Sequence, residues 1–213
     1  MISMPLSSDE IVFYYTDGAT GPSDNTLSLG GTISSSTISS GVANNVFDDV
    51  TGDESETGDT EVRAIAVKNT SSAYDMINTK VYISGYTRAS TKADTIYFAL
   101  EKPTGSPASI QQVSNEDAVN EIDENKFVTK IGNTVSWTEE GNPSNTLEYG
   151  TVNPGEWFGI WLKRVVPSSA SPYNNRSCTI VVQCETTASP YRYKVERKYV
   201  INWTKDGISV QLC

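Results

Sequence analysis

Apolar and polar residues alternate along most of this 213-residue chain, which is the period of half-buried strands rather than helices. Ile11–Tyr15 reads as a first strand ending at the turn signal Thr16-Asp17-Gly18. From Glu61 onward the pattern predicts strands at 62–68, 80–87, 95–101, 134–138, 146–149, 156–166 and 177–185. Gly, Pro and Asn clusters separate them, as at Lys102-Pro103-Thr104-Gly105 and Asn153-Pro154-Gly155. Many short punctuated strands predict an all-β fold, a β-sandwich of jelly-roll or Ig-like type. Residues 110–125 are the one helix-like stretch, where Ser114 and Asp117 resemble a capping box. One or two helical turns, or an acidic loop, both fit there.

Two stretches depart from this rhythm. Residues 16–60 are rich in Ser, Thr, Gly and Asn, with scattered apolar anchors such as Leu29, Ile38, Phe47 and Val50. So long a run without clear elements is unusual inside a compact domain. It predicts an extended arm with one or two short strands, pinned on a surface or a neighbour. Residues 191–203 interleave aromatic and basic side chains before Thr204-Lys205-Asp206-Gly207, a hairpin turn signal, and 208–212 would be the return strand. The expected organisation is an N-terminal strand and acidic arm at 1–60, a sandwich core at 61–188, and a basic docking hairpin at 189–213.

Charge follows the same divisions. The net charge is −10, and residues 1–62 hold eleven acids and no Lys or Arg. Residues 189–213 hold five bases and two acids. Nucleic-acid binding needs a broad basic face, which is absent, so no nucleic-acid partner is expected. Contact between opposite ends of neighbouring copies, in a homo-oligomer, suits the asymmetry better.

Histidine is absent. That excludes Ser-His-Asp and Cys-His catalysis, imidazole bases and histidine-ligated metals. No glycine-rich phosphate loop occurs. Glu139 and Glu140, as strand neighbours, point to opposite faces and do not converge. No catalytic residues are expected, and the chain reads as non-enzymatic. The acids at 48–61 include Asp48, Asp49, Asp53, Glu54 and Asp59, the only candidates for a cofactor, a Ca²⁺ ion, but EF-hand spacing fails.

Cys178 and Cys184, six apart on one strand, would sit about 20 Å from each other and cannot bridge. Cys213 completes an odd count, which does not suggest a disulfide scaffold. Met1–Leu6 lacks the marks of a secretion signal, and no stretch approaches a membrane span. On strand 156–166, Phe158, Ile160 and Leu162 read as core-facing, while Trp157, Gly159, Trp161 and Lys163 form the other face. Two tryptophans there would serve as a sugar platform, or more simply cover a second layer or an interface. The interface candidates are Phe47, Trp157, Trp161, Arg192, Lys194, Arg197, Lys198, Tyr199 and Trp203.

Ser28-Leu29-Gly30-Gly31, Asn44–Val50, Gly52-Asp53-Glu54-Ser55, Gly58–Glu61 followed by Arg63, and Val67–Thr70 resemble a structural protein of tailed-bacteriophage virions. Gly155-Glu156-Trp157, Ile160–Arg164 and Tyr173-Asn174-Asn175 are similar to the same group, so the resemblance spans roughly residues 25–185. It implies a virion component assembled in the host cytoplasm, a head, neck or tail accessory protein without catalytic activity. Capsid decoration is the expected role, with the major capsid protein and copies of itself as partners. A neck, tail or fibre component, or a carbohydrate-binding module of a receptor-binding protein, are the alternatives.

Overall fold

A computed structural model describes residues 5–17, 26–84, 93–128, 137–139, 146–170, 176–188 and 191–203. In chain order they form β1 (Ile11–Thr16), β2 (Gly30–Thr37), a short helix α1 (Gly52–Thr57), β3 (Asp59–Asn69), β4 (Met76–Ser84), β5 (Thr95–Glu101), β6 (Ser109–Gln112), β7 (Thr138–Glu139), β8 (Leu147–Val152), β9 (Trp157–Val166), β10 (Arg176–Ala188) and β11 (Tyr191–Trp203). The fold is all-β, a sandwich of two antiparallel sheets. One sheet has seven strands in the order β6-β2-β1-β3-β9-β5-β7, and the other has four, β11-β10-β4-β8.

Strand alternation sorts the side chains into layers. Odd positions of β3 (Ile65, Val67) and even positions of β9 (Phe158, Ile160, Leu162) face the four-stranded sheet. They meet Val81, Ile83, Ile180, Val182, Val195 and Ile201 in the main core. The opposite faces of β3 and β9 are covered as well. Val62, Ala64, Ala66 and Trp161 pack beneath Ile110, Val113, Ile122 and Phe127 in a second apolar layer. The covering segment includes 3-10 turns at Val119–Glu121 and Glu124–Lys126, but the Ser114–Asp117 capping box does not form: Ala118 and Asp123 stand at the N-caps, Ser114 bonds Glu121 instead, and 109–112 is strand β6. Burial on both faces explains why β3 and β9 read as nearly continuous apolar runs.

The small residues of the outer face exist to seat Trp161. Its register partners are Ala64 on β3 and Ala99 on β5, and Gly159 lies beside them opposite Ala66. A Cβ on Gly159 would lie 2.8 Å from Ile110 Cδ1. The glycine is therefore where the covering layer touches the sheet backbone.

The expected arm is not an arm over its described residues. β2 pairs with β1 and β6 inside the seven-stranded sheet. Ile38, Val46, Phe47 and Val50 are buried in the main core. The run looked structureless because β2, Gly-Gly-Thr-Ile-Ser-Ser-Ser-Thr, has Ile33 as its one large apolar side chain. Buried hydroxyls replace the missing hydrophobes: Ser28 donates to the Ala64 carbonyl, and Thr16 accepts from Gly30 N–H at 3.0 Å. The helix α1 was not expected. Its signal is the capping box Thr51-x-x-Glu54, in which Glu54 accepts from Thr51 N–H at 2.7 Å. Gly58, at φ +84°, ends it.

The C-terminal basic stretch is likewise not a separate docking hairpin over its described residues. β11 pairs with β10 along its whole length, from Arg176 opposite Trp203 to Ala188 opposite Tyr191. The long β10–β11 pairing leaves no separate C-terminal unit among the described residues, and the proposed return strand 208–212 lies outside them. Residues 40–45 lie along β11: Gly41 N–H donates to Val200 O at 2.9 Å, and Asn202 Nδ2 donates to Gly41 O at 2.8 Å. Asn45 Nδ2 donates to both Ser39 O and Val200 O at 2.9 Å. Part of an exposed strand edge is thereby covered.

Candidate functional site: arginine–carboxylate clusters at the ends of the core

The alternating apolar rows of the main core end in charges. At one end the core-facing row of β3 continues from Ile65 to Arg63 and Glu61, and the row of β9 from Leu162 to Arg164. Register sets Glu61 directly opposite Arg164. Both arginines are fully buried and Glu61 is 2% exposed. Glu61 accepts from Arg164, and its other oxygen lies 3.4 Å from Arg63. Arg63 also pairs with Glu116, and Asp48 lies 3.5 Å from Arg164 and 3.7 Å from Arg63. Phe47 lies under the group, its ring centroid 4.9 Å from the Arg164 guanidinium. The cluster thus ties the 44–50 loop and the 113–118 loop to the central strands.

Three carboxylates face two guanidiniums here. Burial pushes the Glu61 carboxyl up to about 7, Arg164 and Arg63 pull it back, and Asp48 and Glu116 push it further. Asp59 is also raised, first by burial.

The structure does not bring the five candidate calcium ligands together. Asp49 accepts from Asn44 at 2.9 Å, Glu54 caps α1, and Asp53 is exposed in its first turn. Among the described residues the acidic groups within ligating reach of one another are Asp48, Glu61 and Glu116. The guanidiniums of Arg63 and Arg164 stand among those oxygens. A Ca²⁺ ion needs six to eight oxygens and no neighbouring cation, so this donor set does not fit one.

A second clamp joins β10, β11 and the start of β5. Asp94 accepts from Arg176 Nε at 2.7 Å and from Trp203 Nε1 at 2.6 Å. The Arg176 guanidinium lies 5.5 Å from the Trp203 ring centroid. A third seats the covering layer. Glu101, 3% exposed, accepts from Trp161 Nε1 at 2.7 Å, Gln111 N–H at 2.8 Å and Gln111 Nε2 at 2.9 Å. No spacing pattern marks these groups in the sequence, because each joins strands distant along the chain.

The interface candidates divide accordingly. Phe47, Trp161, Tyr199 and Trp203 lie inside the chain's own core, and Trp157 is 8% exposed. Their aromatic content reflects packing: Tyr199 stacks on Phe13 at 4.3 Å, and Trp203 meets Phe47 edge-on at 5.9 Å. Trp161 is sealed beneath the covering layer and Trp157 is almost wholly buried at its edge, so the two do not form an open sugar platform. Lys194 and Lys198 are exposed on β11, while Arg197 pairs with Asp9 at 2.7 Å. The side chain of Arg192 lies outside the described residues. Cys178 and Cys184 are buried, and burial pushes the Cys184 thiol up to about 12. Cys213, Glu140 and the Tyr173–Asn175 run lie outside the described residues. No helix among the described residues is long and apolar enough to cross a membrane.

No protein-family model and no curated protein matches the chain. Among solved structures it is similar to the N-terminal domain of PorA, at 12% identity and TM-score 0.35, covering 92% of this chain and 98% of that one. PapD-like domain 7 of human CEP192 is similar at 9% identity and TM-score 0.34, covering 95% and 89%. A family 123 glycoside hydrolase from Clostridium perfringens is similar at 12% identity and TM-score 0.32, covering 75% of this chain and 22% of that one. Overlap this low carries no functional argument.

Proposed function

We propose that the chain is a non-enzymatic structural protein of a tailed-bacteriophage virion that decorates the head shell. The reading begins from the sequence resemblance across residues 25–185. One observation carries it further: the conspicuous arginines, carboxylates and indoles are engaged in bracing the sandwich, at Glu61–Arg164, Asp94–Arg176 and Glu101–Trp161. A histidine-free sandwich braced in this way is suited to hold its shape on a particle and to meet partners through its surface. The open part of β11 offers such a surface, with Tyr193 43% exposed and Lys194 and Lys198 beside it.

Light scattering of the purified chain, alone and with empty heads of the parent virus, tests this. Saturable, lattice-like stoichiometry supports decoration, and the double substitution K194E/K198E should weaken it. A closed ring that ignores heads would instead place the chain at the neck or tail.

A further inference from the structure

Every second residue of an antiparallel strand turns its N–H and C=O away from a given neighbour. On β11, the last strand of its sheet, the even-numbered residues turn away from β10. Val200 O accepts from Gly41 N–H and Asn45 Nδ2 at 2.9 Å, and Val200 N–H donates to Ser40 Oγ at 2.9 Å. Asn202 N–H donates to Asn45 Oδ1 at 3.1 Å. The β10–β11 register runs without a bulge, so Lys198, Glu196 and Lys194 have the same parity. Among the described residues nothing bonds their backbone groups on the open side. The 39–45 segment thus covers the edge at 200 and 202 and stops. The donors and acceptors beyond it form a ladder for one more strand.

The side chains select that strand. Lys194, Glu196 and Lys198 share the outer face, opposite Glu185, Gln183 and Val181 of β10. Glu185 accepts from Asn78 Nδ2, and Glu196 from Gln183 Nε2, both at 3.1 Å. Lys198 reaches Glu196 at 3.3 Å along the strand, with 64% of its side chain exposed. On the open side all three lack a lateral neighbour. Unlike charges directly opposed stabilise a strand pair, and like charges destabilise it. A second copy is therefore the wrong partner. An antiparallel β11–β11 pair centred on Glu196 sets Lys194 against Lys198 and Glu196 against itself. One ladder step toward Tyr191 sets Lys198 against Arg192, and one step the other way meets the 39–45 segment. The fitting strand carries acids opposite Lys198 and Lys194 and a base opposite Glu196. Its alternate side chains fall on the inner side, beside Val195 and the 43% exposed Tyr193, where apolar groups fit.

We infer that the bare edge of β11, residues 194–198, takes up an extended strand of a partner protein with acid–base–acid alternation on one face and apolar residues on the other. This names the partner chemistry of the β11 surface and rests on that surface being a contact.

Hydrogen exchange of the full chain by NMR tests it, with Ac-Glu-Thr-Lys-Val-Glu-Val-NH2 as the probe. In the free chain the amides of Lys194, Glu196 and Lys198 should exchange at least about tenfold faster than those of Val195 and Arg197. Saturable binding of the peptide should slow those even-numbered amides. E196P deletes an outward N–H and no bond to β10, and should weaken binding at least about fivefold. K194E/K198E changes exposed side chains alone and should weaken it about tenfold. Absence of saturation at millimolar peptide would overturn the inference. So would saturation that leaves the even-numbered amides unprotected, or equal binding of the charge-swapped Ac-Lys-Thr-Glu-Val-Lys-Val-NH2. Dimerisation of the chain alone that protects these amides would overturn it in favour of a second copy. Light scattering with heads separates the two readings: heads bound without peptide overturns the edge inference alone, and peptide bound without heads supports it while overturning decoration.

Discussion

Glu61→Gln separates two opposed expectations for the buried charge cluster. If Glu61 acts chiefly as the counterion of Arg164, its loss breaks a buried pair and destabilises by about 3–5 kcal/mol. The surroundings argue otherwise. Asp48 and Glu116 also reach the guanidiniums of Arg63 and Arg164, so two cations keep two carboxylates after the substitution. Glu61 is the buried one of the three, and burial raises its carboxyl from 4.5 to about 7. At 1.36 kcal/mol per pH unit, that rise amounts to about 3 kcal/mol between the protonated and ionised forms. The folded state binds the proton more tightly than the unfolded chain between those pH values. The Glu61 contribution to stability is therefore full below about 4.5 and is lost as pH rises through about 7. Gln resembles the protonated form. E61Q should match the wild type near pH 4.5 and exceed it by up to about 3 kcal/mol at pH 8. Urea unfolding of both proteins across that range measures the difference. A variant less stable than wild type at pH 8, by several kcal/mol, would refute the surplus-carboxylate argument.

Gly159→Val drives a side chain into Ile110, 2.8 Å from the glycine's virtual Cβ, and should cost about 1–3 kcal/mol in a thermal melt. Trp161→Phe removes a donor from the buried Glu101 and leaves part of the indole's buried volume empty, so a loss of at least about 1–3 kcal/mol is expected; an unchanged melting temperature would show that neither the bond nor the packing contributes. Asp94→Asn leaves the buried Arg176 without its carboxylate and should cost about 3–5 kcal/mol, read by urea unfolding. Deleting residues 1–60 removes β1, β2 and the core anchors Phe47 and Val50, so circular dichroism should show a chain that no longer folds.

The sandwich was legible because burial leaves a periodic trace. Phe158, Ile160 and Leu162 alternate with Trp157 and Trp161, and the structure places the two sets in separate apolar layers. Strand limits were less legible where the alternation breaks. β4 begins at Met76, four residues before the predicted start, because Asn78 at φ +52° interrupts the ladder and hides Met76-Ile77 from the pattern. The clusters were not legible at all. Glu61, Arg63, Arg164 and Glu116 have ordinary neighbours in sequence, and only the β3–β9 register and the 113–118 loop bring them together.

The misreading of residues 16–60 has a physical cause that reaches beyond strand placement. A run of small polar residues reads as an arm because it lacks apolar area to bury. Here its hydroxyls and amides supply what hydrophobes would not. Thr16 and Ser28 satisfy backbone groups beside β3, and Asn45 bridges to β11 by donating to Val200 O and accepting from Asn202 N–H. Each is a short side chain fixed by few rotatable bonds, so ordering it costs little entropy. Interior hydrogen bonds of this kind cost most when one partner is left alone. The polar segment is thus bound to the fold by specific partners rather than by area, and a single Asn45→Ala substitution strands acceptors and donors on both sides of the 39–45 turn.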